Sequence, residues 1–281
     1  MPPPIATPRA RALGFGMKRA RQARNLKVRE LGRLIDVPPQ NISSWESGKR
    51  VPKIDELATI LGVLRVEPAE RARLLNLARY ANDPNWLIQS VLDGPTLLTT
   101  YIDYERSATS MVDWSPGLVP GMLQTPSYTR AIFAKTTHPA SHVEHAVRVR
   151  FARRERLTGR NPLQCQILLS EAVLRQNIGG PAVMAEQLRH LLSAMRLRTV
   201  SLQIVPNGIG YHPGQYGPFI IFGYADLPSI VYMEHYRGSG YLYDELNVAD
   251  YRKATKILAS LALSEQDSAD LIEAVLTELE A

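Results

Sequence analysis

Three histidines, at 138, 142 and 145, stand at i, i+4 and i+7, a spacing that lines imidazoles on one helix face as metal ligands. Pro139 lies at the start of any such helix, and no cysteine or fourth ligand is near in sequence. The set therefore reads as a solvated helix start, and neither a metal nor a cofactor is expected. The arginine run Arg148, Arg150, Arg153, Arg154, Arg156 is interrupted only by Glu155. It reads as a solvated helix face, with an alternative role in reaching a polyanion or an acidic partner. Residues 208–217 (GIGYHPGQYG) are glycine-rich but lack the Walker spacing, so a phosphate cradle is not expected. With His212 and Tyr216, this loop suits the wall of an apolar pocket, as do Glu234, His235 and Tyr241 near it in the strand order. The alternative is an ordinary hairpin with packed tyrosines. Ser170, Glu171, His212 and Asp226 make a triad only on paper, because no nucleophile elbow surrounds Ser170. No enzyme is expected.

The elements that must position these residues read as α+β from about residue 111 onward. Thr125-Pro126 caps and opens a helix. A basic helix is expected over Val143–Thr158. Met184, Leu188, Leu191, Leu192 and Met195 mark an amphipathic helix over Pro181–Leu197. Strands are expected at Leu163–Leu169, Val200–Val205, Phe219–Phe222, Ile230–Glu234 and about Tyr241–Tyr243. Helices over Val248–Leu263 and Glu265–Leu279 close the chain, the last opened by Ser264 with Asp267 three residues on. Residues 81–110 read as a mostly helical connector from Trp86, broken near Asp93-Gly94-Pro95, and Trp114 falls in a loop.

The first 80 residues are different. Pro-rich residues 1–9 are expected to be disordered. Over 10–80, helical periodicity begins near Leu13 and continues in short helices: Val28–Ile35, a third opened by Pro38-Pro39, then Ile54–Leu64 and Pro68–Tyr80. Asp36-Val37 makes a tight turn, and Gly48 suits a left-handed cap. Two short helices joined by such a turn, the second offering small polar side chains, are the form that enters a DNA major groove. Charge agrees. Residues 1–80 hold 16 Lys/Arg against 7 Asp/Glu, while 81–281 hold 17 against 20. A basic small domain on a near-neutral larger one suits a polyanion partner. The single cysteine, Cys165, and the lack of any long apolar run fit a soluble cytoplasmic protein away from membranes.

The run LKVRELGRLIDVPPQNISSWESGKRVP resembles the Xre/Cro/cI repressor family, with Leu26, Leu31, Val37, Ile42, Trp45, Glu46, Gly48 and Pro52 on its pattern. The resemblance implies a lambda-repressor-like, all-α five-helix fold for the N-terminal domain and a DNA-binding regulator that is usually a homodimer. It places Pro39, Gln40, Asn41, Ser43 and Ser44 at base edges, and Arg19, Lys27, Lys49 and Arg50 on phosphates of double-stranded DNA. Glu46 would pair within the domain and Trp45 would be core. Pro39 and Val28 depart from the family's polar residues, and Asp36 from its turn glycine. Residues about 101–273 also resemble a C-terminal domain of unknown function found behind such helices in actinobacterial regulators. Pro116–Gln124, Phe151–Leu157, Ser170–Gly180, Leu202–Pro206 and Gly217–Phe222 carry that likeness. It implies a domain that senses a small molecule or binds a small partner protein; an antitoxin-like interaction module with weak DNA binding is the alternative.

Overall fold

The computed structural model describes residues 7–81, 86–89, 94–134, 139–235 and 238–281, with backbone alone for 86–89 and 94–99. They fall into two compact units: one runs to Ser107 and adds Tyr224–Val248, and the other comprises Ala108–Gly223 and Ala249–Ala281.

The first unit begins with five helices, α1 (Pro8–Ala23), α2 (Val28–Ile35), α3 (Pro39–Glu46), α4 (Ile54–Val63) and α5 (Pro68–Arg79). α1 starts earlier than the periodicity predicts. Thr7 accepts from the Ala10 amide at 3.1 Å as its cap, and the Thr7 hydroxyl donates to the Ala81 carbonyl. Order thus reaches into the stretch expected to be disordered, of which residues 1–6 lie outside the described chain. Leu13, Met17, Leu31, Ile42, Trp45, Leu57, Ile60, Leu61 and Leu74 form the core of the bundle. Asp36 ends α2 in the left-handed region at φ 54°, as the turn requires. A Cβ on Gly32 would lie 2.6 Å from the Val37 carbonyl oxygen, so only glycine lets the turn pass this close to α2.

β1 (Trp86–Gln89) and α6 (Gly94–Ser107) follow. The expected helix from Trp86 is therefore corrected: residues 86–89 are extended and pair antiparallel with β7 (Gly238–Leu242). The helix starts only at Gly94, beside the proline expected to break it. β6 (Ile230–His235) pairs antiparallel with β7 on the other side. Tyr232 and Tyr241 from these strands meet edge-on or tilted against Tyr101 and Tyr104 of α6, with ring centroids 5.0 Å apart in each contact. The five-helix bundle and the segment 224–248 thus share one compact unit, although the sequence separates them by more than a hundred residues.

In the second unit β2 (Ser110–Ser115) lies between β5 (Phe219–Gly223), antiparallel to it, and β3 (Gln164–Ser170), parallel to it; β4 (Val200–Val205) continues the parallel set. β2 was not expected, because Trp114 reads as loop from Pro116-Gly117. It is instead a buried strand residue whose indole donates to the Gly214 carbonyl at 2.8 Å. Around these strands run α7 (Pro126–Phe133), α8 (Ala140–Arg153), α9 (Glu155–Thr158), α10 (Glu171–Leu174), α11 (Pro181–Met195) and α13 (Glu265–Glu280). α12 (Glu245–Leu261) follows β7 in the chain, and Phe219 packs edge-on against its Tyr251. Thr125 and Ser264 cap α7 and α13 as expected. Fold class holds: an all-α N-terminal bundle followed by an α+β region.

Candidate nucleic-acid interface

α3 is an eight-residue helix with two faces. Ile42 and Trp45, three residues apart, are buried at 0% and 4% exposure and anchor it to the bundle. Pro39 occupies the first helical turn, where its missing N–H leaves no bond unmade. Gln40 and Ser43 are exposed, and Pro39, Asn41 and Ser44 are half-buried. Among the described residues the side chains of Gln40, Asn41, Ser43 and Ser44 make no hydrogen bond within the chain. Their amide and hydroxyl groups are available to a partner presenting donors and acceptors in the same plane.

The end of α3 is held firmly. Glu46 is 7% exposed and takes a bidentate bond from Arg21 of α1, Nε to Oε1 and Nη2 to Oε2, both at 2.7 Å. Arg21 Nη1 then donates to the Leu26 carbonyl at 2.7 Å, fixing the start of the next loop. Gly48 follows at φ 73°, and a Cβ there would come within 2.8 Å of the Arg11 Cα. Gly14 closes the same joint, since its Cβ would lie 2.5 Å from the Trp45 carbonyl oxygen. α1 and α3 therefore meet backbone to backbone.

Lys49 and Arg50 follow this cap and are exposed, as is Lys27 at the head of α2. The Lys27 amide is bonded to the Glu30 carboxylate at 2.6 Å, while its ammonium makes no ion pair among the described residues. Arg19 is placed differently from the expectation. Its guanidinium holds Asp103 (Nη1 to Oδ2, 2.7 Å) and Glu70 (Nη2 to Oε1, 3.0 Å). Both partners are far away in sequence, and they occupy the donors that a phosphate needs. Arg19 is a cross-link from α1 to α5 and α6.

The second expected site is not assembled. Tyr241 is fully buried among tyrosines of the first unit and presents no face to a ligand. Glu234 and His235 are exposed at the end of β6. In the second unit His212 sets its ring edge against Trp114 at 5.8 Å, and Tyr216 stands 82% exposed beside Tyr211. The Ser170 hydroxyl accepts from the Ala172 amide, and the Glu171 carboxylate accepts from Arg175 and the Asn207 amide. These groups are thus engaged in holding local structure. Of the three histidines, His138 lies outside the described residues, His142 packs on Phe133, and His145 is exposed. No group of three metal-binding side chains gathers among the described residues, and no helix there is long and apolar enough to cross a membrane.

Sequence reasoning missed Arg11. It is 0% exposed, donates Nη1 to the Pro228 carbonyl at 2.9 Å, and lies 3.9 Å over the Tyr224 ring. Its Nε and Nη2 have no hydrogen-bond partner among the described residues. A buried arginine on a helix face of a basic domain resembles its solvated neighbours in sequence, so nothing local reveals it.

Comparison with known families agrees with this geometry. Residues 17–71 match the family described as helix-turn-helix, and residues 98–274 match a domain of unknown function, DUF5753. No curated protein matches the chain. The first match spans α2, the left-handed turn at Asp36 and α3; the second covers most of the chain, including the 224–248 segment that packs on α1. The chain belongs to the DUF5753 family, and the Xre-type helix-turn-helix ahead of that domain makes it a DNA-binding regulator.

Proposed function

We propose that the protein reads a specific DNA site through α3 and regulates transcription from it. The observation that carries this is the two-faced helix itself: Ile42, Trp45 and the Glu46–Arg21 pair fix one side, while unbonded Gln40, Asn41, Ser43 and Ser44 face outward. Gln40 and Asn41 suit the N6 and N7 edge of adenine, and the serines accept either partner. Pro39 contributes shape and contact with a thymine methyl. Lys27, Lys49 and Arg50 set the register through phosphates. Arg19 is left out of this set because its charge is already used inside the fold. Two copies of the chain acting as a homodimer would double the half-site contact, which one short helix makes weakly. The α+β region would bias that binding through a small effector or a small partner protein.

The test is binding of the full chain to DNA from upstream of its own gene, over a salt series and against scrambled DNA. A preference for the upstream site that survives physiological salt supports the reading. Equal affinity for both, disappearing together as salt rises, would leave only non-specific phosphate attraction. The antitoxin-like reading then gains, because DNA would be secondary to a partner.

A further inference from the structure

The arginine-rich segment Phe151–Leu157 is not a solvated face. Arg153 is 9% exposed, Arg156 donates to the carbonyls of Asn161 and Ala108 at 2.6 and 2.7 Å, and Arg154 Nη2 donates to the Gln124 carbonyl at 2.6 Å. Arg154 stands at the joint between α8 and α9, with its backbone still in the right-handed helical region at φ −60° and ψ −29°. It lines a cavity of about 270 Å³ with Phe151, Leu157, His190, Ser193 and Leu197. Leu123, Leu157 and Ala194 make its floor and are buried. Arg154 Nε has no hydrogen-bond partner among the described residues, and Phe151 stands 58% exposed at the rim with the guanidinium 5.3 Å from its ring.

Charges of both signs surround the cavity. Burial lowers the Arg154 pKa, and the attraction of Glu186 does not restore it. The His190 imidazole is held below its ordinary value by burial and then by repulsion from Arg154, again against Glu186. Glu155 also lines the cavity but lies exposed at its edge. A half-buried guanidinium lining a cavity with an apolar floor is complementary to a carboxylate on a small hydrocarbon body. The size suits a single ring or short chain and falls just below the usual range for ligand pockets, about 300–1,000 Å³.

We infer that the cavity between the α8–α9 joint and α11 is a binding site for a small organic monocarboxylate, with Arg154 taking the carboxylate and Leu123, Leu157 and Phe151 its apolar part. This gives a chemical class to the effector proposed above. It is tested without DNA, so its failure leaves the DNA-binding reading standing.

Benzoate is the probe, titrated into the full chain and followed by the His190 imidazole resonance, assigned with His190→Gln. Benzoate is expected to bind and to raise the His190 pKa, since an anion beside Arg154 relieves the repulsion. Arg154→Met should weaken binding at least about tenfold, as loss of a charged hydrogen bond does. Ser193→Phe, a change at an exposed position of α11, should block the cavity while the melting temperature is kept. That variant holds the test open if Arg154→Met unfolds. No benzoate effect in the wild type up to tens of millimolar overturns the proposal, as does equal binding of benzamide or of inorganic phosphate. Unchanged affinity in Ser193→Phe also overturns it.

Discussion

Glu46 shows how a single residue can hold the proposed recognition helix in place from inside the fold. Its carboxylate and Arg21 are both nearly buried, so each exists there only because of the other. Glu46→Ala should cost about 3–5 kcal/mol, because it strands the Arg21 guanidinium out of water. Chemical denaturation would show this, and pairing it with Arg21→Met should recover part of the loss. The reading side chains behave oppositely. Gln40→Ala should leave stability within about 0.5 kcal/mol and cost roughly 1–3 kcal/mol of discrimination at one base pair. Lys49→Ala should weaken all sequences alike and flatten the salt dependence by about one unit. Equal binding by both variants and wild type would remove α3 from the groove. Trp45, Glu46 and Gly48 were legible in the sequence because their spacing is set by one turn of one helix. Arg19 was not. Its partners, Asp103 and Glu70, lie 84 and 51 residues away, and no local pattern distinguishes an exposed cation from one drawn into a distant ion pair.

At the scale of elements, the contact between α1 and α3 rests on glycines where a methyl group would collide with backbone. Gly14→Ala should force the recognition helix away from α1, costing 1–3 kcal/mol or more, the usual range for overpacking. Its DNA affinity should fall along with the melting temperature, unlike that of Gln40→Ala. The α1–α5–α6 joint carries a pH signature. Burial pushes the Glu70 carboxyl up, but bonds and attraction from Arg73 and Arg19 bring it below the ordinary value of 4.5. Its folded pKa is the lower one, so its contribution is present above about pH 4.5 and is lost as pH falls through the folded value. Asp103 runs the other way, since burial raises its carboxyl despite the Arg19 guanidinium. The melting-temperature gap between wild type and Glu70→Gln should therefore close on acidification below pH 4.5; a gap that stays constant would remove Glu70 from the joint. Two strands escaped the sequence reading, each for its own reason. Trp86–Gln89 is four residues long, too short for a period to show, and Ser110–Ser115 lies next to a Pro-Gly loop.

On the scale of the molecule, the helix-turn-helix is one part of a compact unit that includes α6 and the 224–248 segment. Arg11 is the clearest link: it rises from α1, beside Gly48 at the end of α3, and ends on Tyr224 and the Pro228 carbonyl. Tyr104 of α6 adds a second link, with its hydroxyl donating to the Pro8 carbonyl and its ring against Phe15. Because the buried Arg11 leaves Nε and Nη2 without a hydrogen-bond partner among the described residues, an apolar residue of similar volume should do nearly as well. Arg11→Met is expected within about 1.5 kcal/mol of wild type, whereas Arg11→Ala, which leaves a hole, should lose about 2–5 kcal/mol. Equal losses by thermal melting would mean that the charge, and not the packing, matters.

The sequence by itself determined the reading head. Periodicity, the Asp36 turn, the Gly48 cap and the basic excess are local or compositional, so they survive without knowledge of distant contacts. It also determined the fold class and most of the strands of the α+β region, since alternation and length are written within each segment. Only the tertiary structure decided which residues complete that head, because packing joins α1 to segments a hundred and two hundred residues downstream. It alone paired Arg19 with Asp103 and Glu70, buried Tyr241 and set Arg154 at the edge of a cavity. Exposure and pairing of a charge depend on what folds against it, and that is a property of contact and not of order along the chain.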